Sequence, residues 1–435
     1  MGGGAIRLPF EDAEIEVELP TGWDVISTLV PEEAARLEDL PAALREALDE
    51  PVGCPPLGDL AGKRIVIAVD DVSRPTPVHL YFGHLLAHLE ERGARREDMV
   101  VIPALGVHRK MTAREMEAKL GAANMEGLAW MNPDPRDRDE QMDLGVTSRG
   151  TRVLLCNALG DADLVICCGA IEPHLLLGFG GGLKMLLPGL AHESTVAQNH
   201  MQGVTPDMYN YIGVEESPMR LDLEEAALRL DRPIFIVNVV MNARLEVCRF
   251  VAGDPVEAHR AGIETARSIN ARAVTDLADV AIVASSPMNA DLRQGMKCIG
   301  NVEKCVRDGG LILAFTECRN GIGDVSIPPR ALPNGLLRFI LRLIGRKRVL
   351  WFIDRVKKGA GVEERFMAHF SMQVVRKNRL MVYSRRLPAD TGERMGLFRQ
   401  FSGVEDMMRA AAACAPRHAR VYVFPHGGVT YPVLD

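Results

Sequence analysis

The 435-residue chain predicts an α/β protein of two domains, with mostly parallel sheets flanked by helices and a functional site in the interdomain cleft. Three observations carry that expectation. The chain is too long for one ordinary core, because single cores stop growing at about 250–300 residues. Short β-branched runs recur along it with helical patterns between them, and such alternation builds parallel sheets covered on both faces. The polar residues best suited to chemistry fall just after those runs, at the edge where parallel strands end and ligands bind.

The elements follow in order. Residues 6–19 alternate partially and read as a hairpin or edge region. The runs 63–70 (KRIVIAVD), 99–105 (MVVIPAL), 163–168 and 233–240 (PIFIVNVV) read as four buried strands. Helical patterns at 77–92 and 112–120 separate them, and Thr112 is an N-cap candidate with Glu115 as its capping-box partner. In a second series, 280–285, 310–315, 380–384 and 420–424 read as strands, and 301–307 reads as a helix stopped by Gly309 and Gly310. The boundary falls near residues 260–278, which gives domains over 1–265 and 275–435.

Composition narrows the function. Hydrophobic residues make up 47% and aromatics only 5%, so the cores must be aliphatic. A net charge of −7 argues against a general nucleic-acid binder but allows a local basic site for a small anion. Nine cysteines are scattered with no CxxC pair, which reads as buried free thiols in a reducing cytoplasm. The start MGGGAIRLPF lacks the pattern of a signal peptide or a myristoylation site, and no apolar run is long enough to cross a bilayer. The segment 335–358 is basic and amphipathic. A packed helix with its arginines in water is the expected reading, and a membrane or partner contact the lesser one.

The candidate site residues follow the strands. In Asp71-Val72-Ser73-Arg74-Pro75, Arg74 could clamp a phosphate or carboxylate while Asp71 orients it; a turn in which Asp71 caps a helix is the equal alternative. His108 and His174 each follow a buried run, and two imidazoles can serve as base and acid, although a lone loop histidine is more often structural. The block 178–184 (GFGGGLK) is the most specific segment. Its glycines could let backbone amides approach a phosphate, and Lys184 among apolar residues could be a desolvated nucleophile. The P-loop spacing is absent, and a flexible turn with a surface lysine is the bland alternative. His200 ends the helical stretch 191–200; imidazole suits nickel or zinc, and His192 could share its face. Gln294 and Lys297 are three apart, so on one helix they could bind a carboxylate together or simply face solvent. His84 and His88 read as members of an ordinary helix.

Taken in order, DxSRP, GxHR, EPH, GFGGGLKxLLPGLA, NH and QxxK resemble the nickel-dependent lactate racemase family, over both domains. The resemblance implies racemisation or epimerisation of a small 2-hydroxy acid that is lactate-like, malate-like or a sugar acid. It implies a nickel-pincer nucleotide, Ni(II)-pyridinium-3,5-bisthiocarboxylate mononucleotide, joined to Lys184 and with its nickel completed by His200. Asp71, Val72, Ser73 and Arg74 would hold the nucleotide, His108 and His174 would be acid and base, and Gln294, Lys297 and Arg74 would bind substrate. The implied reaction moves hydride from C2 to the cofactor and back to the opposite face. Cofactor-biosynthesis enzymes are the implied partners, and a homo-oligomer is compatible. A non-catalytic nickel-nucleotide carrier or another pincer-dependent redox enzyme are the alternatives. Leu183, Arg293 and Phe366 depart from the family pattern, and Arg293 could pair with a second carboxylate or polar tail on the substrate.

Overall fold

The computed structural model describes residues 4–204, 210–323 and 372–434, with positions 325, 327, 336, 339, 340, 343, 344, 348, 351 and 355 between them. The chain forms two compact units. One comprises Glu33–Gly203 and Val214–Ile269; the other comprises Met1–Glu32, Val204–Gly213 and Asn270–Asp435.

The first unit is built on a six-stranded sheet. Its spatial order is Val247–Gly253, Ile234–Met241, Leu164–Ala170, Ile65–Asp70, Met99–Ala104 and Ala129–Trp130. Only the pairing of Ile234–Met241 with Val247–Gly253 is antiparallel. Every residue of Ile65–Asp70 and Leu164–Ala170 is buried, as expected of central strands covered on both faces. Ile65, Ile67 and Val69 join a core with Phe82, Leu85 and Leu89 of the helix Phe82–Glu91. Register then places the site. Asp70 pairs with Ala104, and Val69 with Cys168, so the chain leaves all three strands by one edge. The helix Ala113–Leu120 begins with the expected capping box between Thr112 and Glu115.

The second unit holds a six-stranded sheet, parallel throughout, in the order Arg399–Phe401, Arg379–Tyr383, Val306–Phe315, Ala278–Ala284, Arg420–Phe424 and Asp24–Thr28. Strand Asp24–Thr28 pairs with Arg420–Phe424, and the hairpin of Ala5–Phe10 and Ala13–Glu18 adds Leu8, Phe10 and Val17 to this core. The first 32 residues therefore belong with the C-terminal half, not with the expected 1–265 segment. Periodicity along the chain carries no information about which distant strand a run will pair with.

One further expectation changes. The helix expected over 301–307 ends at Val302, a 3-10 turn covers Glu303–Cys305, and strand Val306–Phe315 begins before the glycines. Gly310 lies inside that strand, where a side chain would come within 2.8 Å of the Asp279 carbonyl. It marks close backbone approach rather than a helix stop.

A candidate active site at the strand edge of the first unit

Asp71 lies directly after strand Ile65–Asp70, and its carboxylate neither caps a helix nor bonds Arg74; its two oxygens hold Ser73 and His108. Oδ1 accepts the Ser73 amide at 3.1 Å and the Ser73 hydroxyl at 2.6 Å, closing a turn. Oδ2 lies 2.6 Å from His108 Nδ1. Burial opposes ionisation of Asp71. The hydrogen bond and charge of His108, the charge of Arg74 and the Ser73 hydroxyl outweigh it and hold the carboxyl well below the usual range. Beneath it, Lys119 Nζ sits 2.5 Å from Asp70 Oδ1 and donates to the carbonyls of Asp71, Arg74 and Thr76 at 3.2–3.3 Å. Lys119 is only 6% exposed, and one ammonium thus shapes the whole loop. Near a helix end, it carries no sequence signal that separates it from a solvated lysine. Arg74 reaches Glu172 at 3.8 Å, linking this loop to the segment that bears His174.

The two histidines are held as opposite tautomers. Nδ1–H of His108 donates to Asp71, so in the neutral ring Nε2 carries the lone pair. Nδ1 of His174 accepts the amides of Leu176 at 3.3 Å and Leu177 at 3.1 Å. An amide can only donate, so the proton of neutral His174 sits on Nε2. One ring is therefore set as a base at Nε2, the other as a donor there.

Lys184 lies in the 3-10 turn Gly182–Met185 and is 9% exposed, so it is a buried lysine and not a surface one. The preceding glycines are pinned by the protein itself. The Gly180 amide donates to the Glu172 carbonyl at 2.7 Å, and the Gly182 amide to Asn238 Oδ1 at 2.6 Å. Asn238 Nδ2 donates to the Cys167 carbonyl at 3.2 Å, His259 Nε2–H to the Gly180 carbonyl at 2.7 Å, and buried Arg220 to the Phe179 carbonyl. Burial and the charge of Arg220 push His259 well below the usual imidazole range, so it is neutral. Gly181 and Gly182 have φ of 74° and 60°, and a Cβ would come within 2.6 Å of Asn238 Oδ1 and 2.9 Å of His259 respectively. This corrects the expectation that the glycines present amides to a phosphate: the amides of Gly180 and Gly182 are used internally, and the glycines permit close packing. Asn238 was legible in principle as the one polar residue of PIFIVNVV, whereas Arg220 and His259 give no such signal.

Backbone bonds join these parts. The Gly106 amide donates to the Gly189 carbonyl at 2.8 Å and the Gly189 amide to the Lys184 carbonyl at 3.1 Å, which ties the His108 loop to the lysine turn. Pro173–His174 pairs with Gly178–Phe179. His200 lies on helix Glu193–Gln202, and its Nδ1–H donates to the Val196 carbonyl at 2.7 Å, leaving the lone pair on Nε2. A side chain at Gly203, which ends that helix, would meet Leu176 beside His174. His192 does not share a helix face with His200: it is the N-cap, and its Nδ1 accepts the Ser194 amide at 3.1 Å. Gln294 and Lys297, in the other unit, fall on successive short helices, Leu292–Gly295 and Lys297–Val302, rather than on one. Gln294 is 3% exposed. Phe366 lies outside the described residues. Among the described residues no cluster of three or more His, Cys, Asp or Glu could hold a metal.

A parallel-sheet edge carrying a carboxylate-held histidine, a second histidine of opposite tautomer and a buried lysine defines an α/β protein with an enzyme-like centre. A sequence model of the lactate racemase N-terminal domain matches residues 10–210. Lactate racemases from Thermoanaerobacterium thermosaccharolyticum and Lactiplantibacillus plantarum are 31% and 28% identical over 285 residues, 64% of this chain. The chain spans 66% of the length of these curated relatives. The lactate racemase apoprotein from T. thermosaccharolyticum has the same fold, with a TM-score of 0.81 at 23% identity over 99% of this chain and all of that one. A protein from Thermotoga maritima superposes with a TM-score of 0.66 at 18% identity, over 94% of this chain and all of that one. The chain belongs to the lactate racemase family.

Proposed function

We propose that this protein racemises or epimerises a small 2-hydroxy acid, with His108 and His174 as the proton-handling residues. The observation that carries this reading is the opposite fixing of the two imidazoles at one sheet edge, bonded through backbone to the turn of Lys184. Inverting C2 by loss and return of hydride requires a group that takes the hydroxyl proton and another that returns a proton to the oxygen, and unlike tautomers meet that need without a prior change of state.

The family resemblance implies a nickel-pincer nucleotide, and the residues fit it. Lys184 is buried in a turn too tightly pinned to wander, as a covalent tether requires. His200 donates Nδ1–H to a backbone carbonyl, the arrangement that presents Nε2 to a metal. Lys184 would hold the nucleotide covalently, His200 would complete the nickel, and the loop Asp71–Val72–Ser73–Arg74 would hold the nucleotide end. When bound, the group supplies an acceptor for the C2 hydride.

The protein's own part is proton management. His108 Nε2 takes the hydroxyl proton, and the ionised Asp71 stabilises the imidazolium that results. His174 offers Nε2–H to the oxygen on which charge develops. Complete transfer from that ring is easiest when it is cationic, which requires the Leu176 and Leu177 amides to leave Nδ1. Gln294 and Lys297 are proposed to bind the substrate carboxylate on sequence resemblance. Arg293 beside them favours a substrate with a second carboxylate or polar tail.

The test uses protein produced together with the cofactor-biosynthesis enzymes. Intact mass and nickel content should report one nucleotide per chain, and lost on Lys184→Ala. A panel of single-enantiomer lactate, malate and gluconate, read by chiral chromatography, should give inversion at C2 without accumulation of keto acid. Keto acid formed stoichiometrically would identify a different redox enzyme. No turnover by fully loaded protein on any hydroxy acid would support the carrier.

A further inference from the structure

Most of the basic segment 335–358 lies outside the described residues, whereas the first unit is described throughout. In that unit we propose that Asp222 is a positioning residue for His200, acting from a helix, Pro218–Leu228, that also grips the loop of Lys184. The proposal rests on the reading of His200 as the nickel ligand and Lys184 as the nucleotide tether.

His200 Nε2 goes wherever its helix goes, because Nδ1–H is bonded to the Val196 carbonyl of the same helix. That helix is held through the neighbouring residue. Asn199 is fully buried, and its Nδ2 donates to Asp222 Oδ2 at 2.8 Å and to the Met219 carbonyl at 3.1 Å. Asp222 is fully buried as well and accepts two more bonds, from the Thr147 hydroxyl at 2.6 Å and the Thr151 hydroxyl at 2.7 Å. A buried carboxylate is costly unless donors surround it, and here three do. One side chain thus gathers its own helix, the turn 147–151 and the His200 helix. Two residues earlier, Arg220 donates to the Phe179 carbonyl of the loop that leads into Lys184. Positions two apart on an α-helix point about 200° apart, so the helix reaches the lysine loop from one side and the His200 helix from nearly the opposite one. A group tethered at one anchor and ligated at the other needs both held in fixed relation, because a small drift of either breaks the shared grip.

The experiment challenges protein made with the cofactor-biosynthesis enzymes with a chelator. Nickel is followed by metal analysis and the nucleotide by intact mass. Asp222→Ala should release nickel about tenfold faster than the parent or more, approaching His200→Ala, while the nucleotide stays on Lys184. Asp222→Asn keeps an oxygen for the Asn199 amide and should recover most of the retention. If Asp222→Ala does not fold, Asn199→Ala, which removes only the link to the His200 helix, carries the same expectation. Nickel held as in the parent by these variants would overturn the proposal. Nickel and nucleotide lost together, in step with a lowered melting temperature, would also overturn it and leave Asp222 a structural residue only. If His200→Ala itself retains nickel like the parent, the reading of His200 as a ligand fails separately. Ring-nitrogen NMR of the apoprotein then decides: His200 signals shifted in Asp222→Ala and restored in Asp222→Asn uphold the positioning role, and unshifted signals refute it.

Discussion

The loop after Asp70 and the loop before Lys184 meet at the same sheet edge but are held by different physics. The first is organised by charge: Asp70 with Lys119, Asp71 with His108, Arg74 with Glu172. The second is organised by neutral or shielded donors and acceptors aimed at backbone, from Asn238, His259 and Arg220. A loop that must set protonation states needs ionised partners. A loop that must fix where one side chain stands needs its backbone pinned from several directions. Substitutions in the two loops should therefore fail differently.

The largest effect is expected at the lysine itself. Lys184→Ala should abolish turnover and cofactor attachment, read by intact mass, while the fold and melting temperature persist. Next come the charge-loop residues. His108→Gln and His174→Gln should each lower kcat by about 10²–10⁴-fold with the cofactor still attached. Asp71→Asn belongs with them, because an amide can donate to Nδ1 and favours the wrong His108 tautomer; its loss should be about 10²-fold or more and accompanied by a changed pH profile. A smaller and different failure is expected in the glycine loop. Asn238→Leu leaves the Gly182 N–H and the Cys167 carbonyl buried without their partner. It should cost about 1–3 kcal/mol of stability by denaturant titration and reduce cofactor occupancy more than the turnover of loaded enzyme. If Asn238→Leu instead spares occupancy and changes the pH profile, the distinction between the loops fails.

The smallest effect concerns acid stability. Glu115, bonded to Arg109 and to the Thr112 amide, is depressed to about 2. A carboxylate lowered on folding contributes stability that is fully present above its unfolded pKa of about 4.3 and is lost as pH falls through the folded value. Solvent screens the exposed Arg109 pair, so Glu115→Gln should cost only about 0.5–1 kcal/mol at neutral pH, well short of what the full shift would give. The unfolding free energies of parent and variant should converge as pH falls to about 2.

Much of this was legible in the sequence because burial on both faces leaves an unmistakable mark. Runs such as 63–70 and 233–240 read as buried strands, and residues placed after them share an edge if the sheet is parallel. The capping box at Thr112 was equally local. Long-range pairing was not legible: nothing near Asp24 announces that it will lie beside Arg420. The support of the glycine loop was hidden for a related reason. His259 stands about 80 residues from the Gly180 carbonyl it holds, and its helix reads as an ordinary amphipathic one. A run of glycines signals close approach without saying what approaches, here Asn238 and His259 rather than a phosphate.

The account depends most on the unlike states of the two site histidines, and ring-nitrogen NMR of histidine-labelled protein reads those states directly. Assignments would come from His108→Gln and His174→Gln. At neutral pH the account predicts that neutral His108 is protonated on Nδ1 and neutral His174 on Nε2. Finding both rings in the same tautomer would contradict it.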